Sequence, residues 1–199
     1  MTMTQEEQKR QDDALIRAIK ENNLAGMEKS IRAGAKIDAA NVHGVQPVHR
    51  AATYGTESTL VFLLRNGAKI DAVDKYGEQP VHRAAELGRS EMLKSLFRHG
   101  SRGDATDGMG RQPLHWAARM GRGDVVEFLL ENGADPMVKD LWHKTPLDLA
   151  ENYLEVQGLL KKWSDPDFRE KWRQEMAAGA IHAHWKRMAR HVPKPGPSL

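Results

Sequence analysis

The chain has 199 residues, with 30 Lys/Arg against 27 Asp/Glu and no cysteine. That length bounds it to one domain with appendages, and the missing thiols exclude disulfides and thiolate chemistry. Its longest unbroken apolar run, Leu60 to Leu64, is far too short to cross a bilayer.

The opening stretch, MTMTQEEQKRQDD, lacks an apolar h-region and carries acidic residues. It reads as neither a secretory signal nor a mitochondrial presequence, so a cytoplasmic location is expected. Residues 1–11 form a polar N-terminal extension. A degenerate unit follows over 12–39, because IRAGAKID (31–38) matches LRNGAKID (64–71) one period later. Asn22 stands in it where later units carry a glycine between their helices.

Four prolines then recur 33 residues apart, at Pro47, Pro80, Pro113 and Pro146, each opening one phrase: QPVHRAA, QPVHRAA, QPLHWAA and TPLDLAE. A fixed period of this length marks a solenoid, whose units bury their apolar faces only against neighbours. In each unit a glycine (Gly44, Gly77, Gly110) suits a tight turn and proline opens a first helix. A second glycine (Gly55, Gly88, Gly121) ends that helix, and an apolar stripe such as Met92, Leu93, Leu96 and Phe97 faces a core. The units run 40–72, 73–105, 106–138 and 139–163. The last drifts, with His143 replacing the turn glycine and Leu154 the inter-helix one.

Residues 164–199 are a helical tail with a Pro-rich terminus. They hold seven Lys/Arg and four Asp/Glu, which leaves 23 of each sign in residues 1–163. A charge-balanced body argues against a nucleic-acid stripe. Asp165 and Pro166 read as the start of a helix. Phe168, Trp172, Ile181 and Trp185 then fall close to one helical face, either as a cap on the last unit or as an anchor in a partner's groove.

The pattern D-x-x-G-x-[TQ]-P-[LV]-H-x-A-A…G…LL-x-x-GA resembles the ankyrin repeat over about residues 12–163. The resemblance implies an all-α solenoid of five helix–loop–helix units with hairpin-like turns. Its concave face would be built from turn tips and first helices. It assigns His49, His82 and His115 hydrogen bonds that tie one unit's turn to the next. One departure is that Gln46, Gln79 and Gln112 replace the usual threonine, which puts the local hydrogen bonding in question.

No phosphate-cradling glycine loop, cofactor motif or nucleophile–base set appears, and His182, His184 and His191 lack the spacing and companions of a metal shell. The sequence therefore reads as a non-enzymatic binding module for another protein. It fits an adaptor or a subunit of a larger assembly; an inhibitor that occludes a partner's site and a permanently locked structural subunit are the alternatives. The expected contact residues at the tips are His43, Tyr76, Met109, Arg111, Leu141 and Trp142. On the first helices they are Arg50, Tyr54, Arg83, Leu87, Trp116, Arg119, Met120 and Tyr153. Arg and large apolar side chains there are the types enriched in interface cores.

Overall fold

The computed structural model describes residues 3–175. Among these it holds eleven helices and no strand, in agreement with an ankyrin solenoid. One compact unit ends at Leu160, and Lys161 begins a second.

Over residues 5–164 five first helices alternate with five second helices: α1 (Gln5–Lys20), α3 (Pro47–Tyr54), α5 (Pro80–Glu86), α7 (Pro113–Arg119) and α9 (Pro146–Leu149) with α2 (Leu24–Arg32), α4 (Glu57–Arg65), α6 (Ser90–Arg98), α8 (Gly123–Glu131) and α10 (Leu154–Ser164). First helices pack side by side in chain order, and α2, α4, α6 and α8 do the same behind them. Helix α1 starts at Gln5, capped by Thr4 in a reciprocal bond with Glu7. Most of the expected N-terminal extension is therefore the front of the first helix. Nothing apolar marks residues 5–11, so periodicity could not reveal this.

Short helices stand because their buried faces supply what their length does not. Val81, Ala84 and Ala85 on α5, with Met92, Leu93 and Leu96 on α6, are all buried. The alanines let neighbouring first helices approach closely. Phe97 meets Phe128 of the next unit edge-on, with ring centroids 5.2 Å apart. At the N-terminal end Leu15, Ile19 and Met27 join Ala51 and Leu63 in one cluster, so the degenerate unit shares the core of the regular ones.

The turn position at which glycine recurs does require a left-handed backbone, with φ of 77°, 74° and 71° at Gly44, Gly77 and Gly110. A Cβ on Gly77 would also sit 2.6 Å from the backbone nitrogen of Gly108, so adjacent turns touch there. His143 adopts the same conformation, φ 61°, and Asn22 takes φ 53° at the inter-helix site. Both replacements keep the repeat's geometry at a steric cost that asparagine bears better than histidine. Leu154 departs from the pattern: it opens α10, is 83% exposed, and contributes nothing to the core.

The question raised by the glutamines is answered by the histidines. The Gln46, Gln79 and Gln112 N–H groups donate to Nδ1 of His49, His82 and His115 at 3.2, 3.0 and 3.1 Å. Nδ1 is therefore the acceptor, and the proton sits on Nε2. That nitrogen donates to the carbonyls of Glu78, Ala105 and Lys144 at 3.0, 3.0 and 3.2 Å, each in the following unit or its approach. All three rings are buried, and burial pushes each pKa below the ordinary histidine value.

Protonating Nδ1 removes the acceptor and places a charge in the stack. Because the folded pKa values lie below the unfolded one, the unfolded chain takes up protons first as pH falls. Stability is then complete above about 6.5 and declines through the depressed folded values. Glu78 acts the opposite way, since burial raises its carboxyl above the usual 4.5. Denaturant unfolding between pH 7.5 and 5.5 should show falling stability, with a slope of at most about 1.4 kcal/mol per pH unit per histidine. His82→Gln should make that slope shallower, and a slope unchanged by it would remove the ring from the account.

Candidate functional site: the turn-tip face

Each turn is held by one side chain at its first position, buried where it is Asp74, Asp107 or Asp140 and exposed where it is Asn41. Asp74 Oδ1 accepts from the Tyr76 and Glu78 N–H groups at 2.8 and 3.0 Å. Asp107 does the same for Met109 and Arg111 at 2.8 and 2.9 Å, and Asp140 for Trp142 and Lys144 at 2.9 and 2.9 Å. Asn41 serves the first full turn through His43 and Val45, at 2.9 and 3.0 Å. A backbone rung then joins successive tips: Lys75 N–H to His43 O, Gly108 N–H to Tyr76 O, and Leu141 N–H to Met109 O, at 3.0, 2.8 and 3.1 Å. Side chains at the tips are thus exposed on a backbone that is internally satisfied.

The sequence reading named the aspartates' turn motif without giving them this task. Asp38, Asp71 and Asp104, the other aspartates that recur at this period, are all exposed, and Asp104 pairs with Arg102 at 2.7 Å. The signal that could have separated the two sets is a carboxylate two and four residues ahead of backbone donors across a glycine turn.

Two rows of expected contact residues emerge with the repeat's period. At the tips stand His43, Tyr76, Met109 and Trp142, 33 residues apart. At the ends of the first helices stand Tyr54, Leu87, Met120 and Tyr153, again 33 apart. Every member but Met120 is exposed, and Trp142 and Tyr76 most of all, at 57% and 55%. The His43 and Tyr76 rings stack with an interplanar angle of 21°. Leu141, 69% exposed, extends the tip row. A groove of about 480 Å³ opens at the two central tips, lined by Tyr76, Glu78, Arg83, Met109 and Arg111 among others.

The charged and aromatic residues between the rows are not equally free. Arg111 is only 11% exposed and spends its charge on Asp107, with both Nε and an Nη at 3.0 Å from Oδ2. The Trp116 N–H donates to the same oxygen at 3.1 Å, and the Arg111 guanidinium lies 4.0 Å from the Trp116 ring centroid. Arg111, at the groove wall, and Trp116, which packs on it, are therefore committed to Asp107 more than they offer themselves to a partner. Arg83 is held by Glu78 at 2.7 Å, Glu86 at 3.1 Å and Asp74 at 3.6 Å. Arg119 is exposed, 5.7 Å from Trp116. Arg50 is half-buried, with no side-chain partner among the described residues.

In the second unit Trp163 is buried, with Phe168 and Trp172 edge-on to it at centroid distances of 5.4 and 4.8 Å. Helix α11 (Pro166–Glu175) brings those two rings round, and Asp165 accepts from Asp167 N–H at its start, as its sequence implies. Ile181 and Trp185 lie outside the described residues, as do His182, His184 and His191. No helix among the described residues is long and apolar enough to cross a membrane.

Arg111 and Arg50 occupy the same face with opposite local bookkeeping. Arg111→Ala strands a buried carboxylate and should cost about 3 kcal/mol of unfolding free energy. Arg50→Ala severs no bond and should change it by about 0.5 kcal/mol or less. Chemical denaturation of the two variants measures both, and equal costs would contradict the assignment of their partners.

Residues 48–140 match the family described as ankyrin repeats, in three copies, and that stretch contains all three linking histidines, two of their three links and the turns at Asp74 and Asp107. No curated protein matches the chain. Repeats of this family generally mediate protein–protein interaction. With its helix pairs, turns and matched segment in agreement, residues 48–140 carry ankyrin repeats.

Proposed function

We propose that this chain is a cytoplasmic, non-catalytic adaptor or assembly subunit that holds another protein on its turn-tip face. The observation that carries the reading is the pair of 33-residue rows, in which Tyr76, Met109 and Trp142 on one side and Tyr54, Leu87 and Tyr153 on the other stay exposed. Isolated apolar residues on a surface need no explanation, but two aligned rows, one of them lining a groove, form a patch of the kind that marks interaction sites. The turns that carry the tips have their backbone groups bonded internally, so little ordering entropy opposes docking. Five units are proposed to span residues 12–163, the first and last closing the stack at its ends.

Trp116 is an ambiguous probe, because its ring N–H supports Asp107. Tyr76→Ala, Leu87→Ala and Trp142→Ala truncate half-exposed side chains that make no side-chain hydrogen bond among the described residues. Together they should weaken a partner captured by the natural chain at least roughly tenfold, in line with losing interface hot spots. The melting temperature should fall by only about 2–4 °C, leaving the fold intact. Unchanged recovery of every partner by the triple variant would remove the tip face as the docking surface.

A further inference from the structure

The tip face changes character along its length, and the repeat supplies its own internal control. One position of the first helix recurs as Arg17, Arg50, Arg83 and Trp116, spaced by 33 residues. These residues lie on α1, α3, α5 and α7, which pack in that order. Arg83 has three carboxylates from its own unit, Asp74, Glu78 and Glu86. In the preceding unit the same three positions are Asn41, Val45 and Thr53. Arg50 therefore keeps its register and its partial burial but loses every counter-charge that the fold gives Arg83. Arg17 is exposed and likewise makes no ion pair among the described residues. Lys20, next along α1, reaches only the Tyr54 ring, 5.7 Å away. Lys75 brings a further cation from the neighbouring tip. Asp13 and Glu21 flank Arg17 on α1 without pairing to it.

A half-buried guanidinium without a counter-charge carries an unmet desolvation cost, which a carboxylate relieves through two parallel, charge-assisted bonds. Past the neutralised centre the large side chains are apolar, Met109, Trp116, Met120 and Trp142, with Arg119 and Lys144 as exposed cations beside them. We propose, building on the docking role argued above, that the partner lies across this face in one polarity. An Asp or Glu of the partner segment pairs with Arg50, assisted by Arg17, and a bulky apolar side chain enters the groove beside Tyr76 and Met109. First helices stack about 10 Å apart, so the groove is roughly 10–20 Å from Arg50. At about 3.3 Å per residue, an extended segment has its acidic and apolar residues separated by about three to six positions.

The probe is a phage-displayed library of random dodecapeptides selected on the full chain, followed by synthesis of the enriched peptides. The expected consensus has an acidic residue about three to six positions from a large apolar one. Arg17→Ala with Arg50→Ala should weaken such a peptide roughly tenfold or more, and have little effect on its Asn or Gln counterpart. Arg50→Glu should turn the selected residue basic. Tyr76→Ala should weaken acidic and neutral forms alike. A tip-face consensus without acidic preference, or one indifferent to Arg17 and Arg50, overturns the polarity and leaves the docking face standing. Enriched peptides indifferent to Tyr76 and Trp142, or no enrichment at all, overturn both.

Discussion

The structure depends on the carboxamide or carboxylate that begins each turn. Asn41, Asp74, Asp107 and Asp140 take up two backbone N–H groups apiece. Without them four donor pairs would need water, and the tip side chains would have no fixed direction. With them each turn is closed, and its own backbone can bond to the next turn. The histidine of the following helix then returns through the stack to a carbonyl of the next unit. Local closure and inter-unit linkage are thus built from the same few polar groups, and the apolar core completes the fit.

This arrangement separates what holds the fold from what meets a partner. The side chains that make bonds within the repeat (Asp107, His115, Arg111) are buried or nearly so. Those between them in sequence, such as Met109 and Trp142, project outward and make little contribution to the core. The residues at 33-residue intervals then become rows on one face. The charge on that face follows from small local substitutions: three neutral residues in place of three acids leave Arg50 free where Arg83 is neutralised.

Most of the fold was legible in the sequence because it repeats. Prolines, glycines and Leu stripes at one period give helix starts, stops and buried faces, and even the left-handed backbone at Asn22 and His143 follows from their register. The extent of α1 was not legible, since residues 5–11 are polar and make their helix through a cap at Thr4. The contact surface was legible as a set of residue types, but their availability was not. Arg83, Arg111 and Arg50 look alike in the sequence; only the placement of acids around each one distinguishes a bound cation from a free one. Trp116 likewise reads as an exposed anchor until its N–H is found on Asp107.

The most direct test is residue-resolved amide hydrogen exchange on the free chain. The N–H groups of Tyr76, Glu78, Met109, Arg111, Trp142 and Lys144 belong to exposed turns, yet each is donated to a buried aspartate. They should exchange far more slowly than the N–H groups of the exposed loop residues Lys69 and Lys139, and Asp107→Ala should release Met109 and Arg111 while sparing the turn at Asp140. Exchange of all six at the rate of an open loop would contradict the claim that these carboxylates hold the face in place.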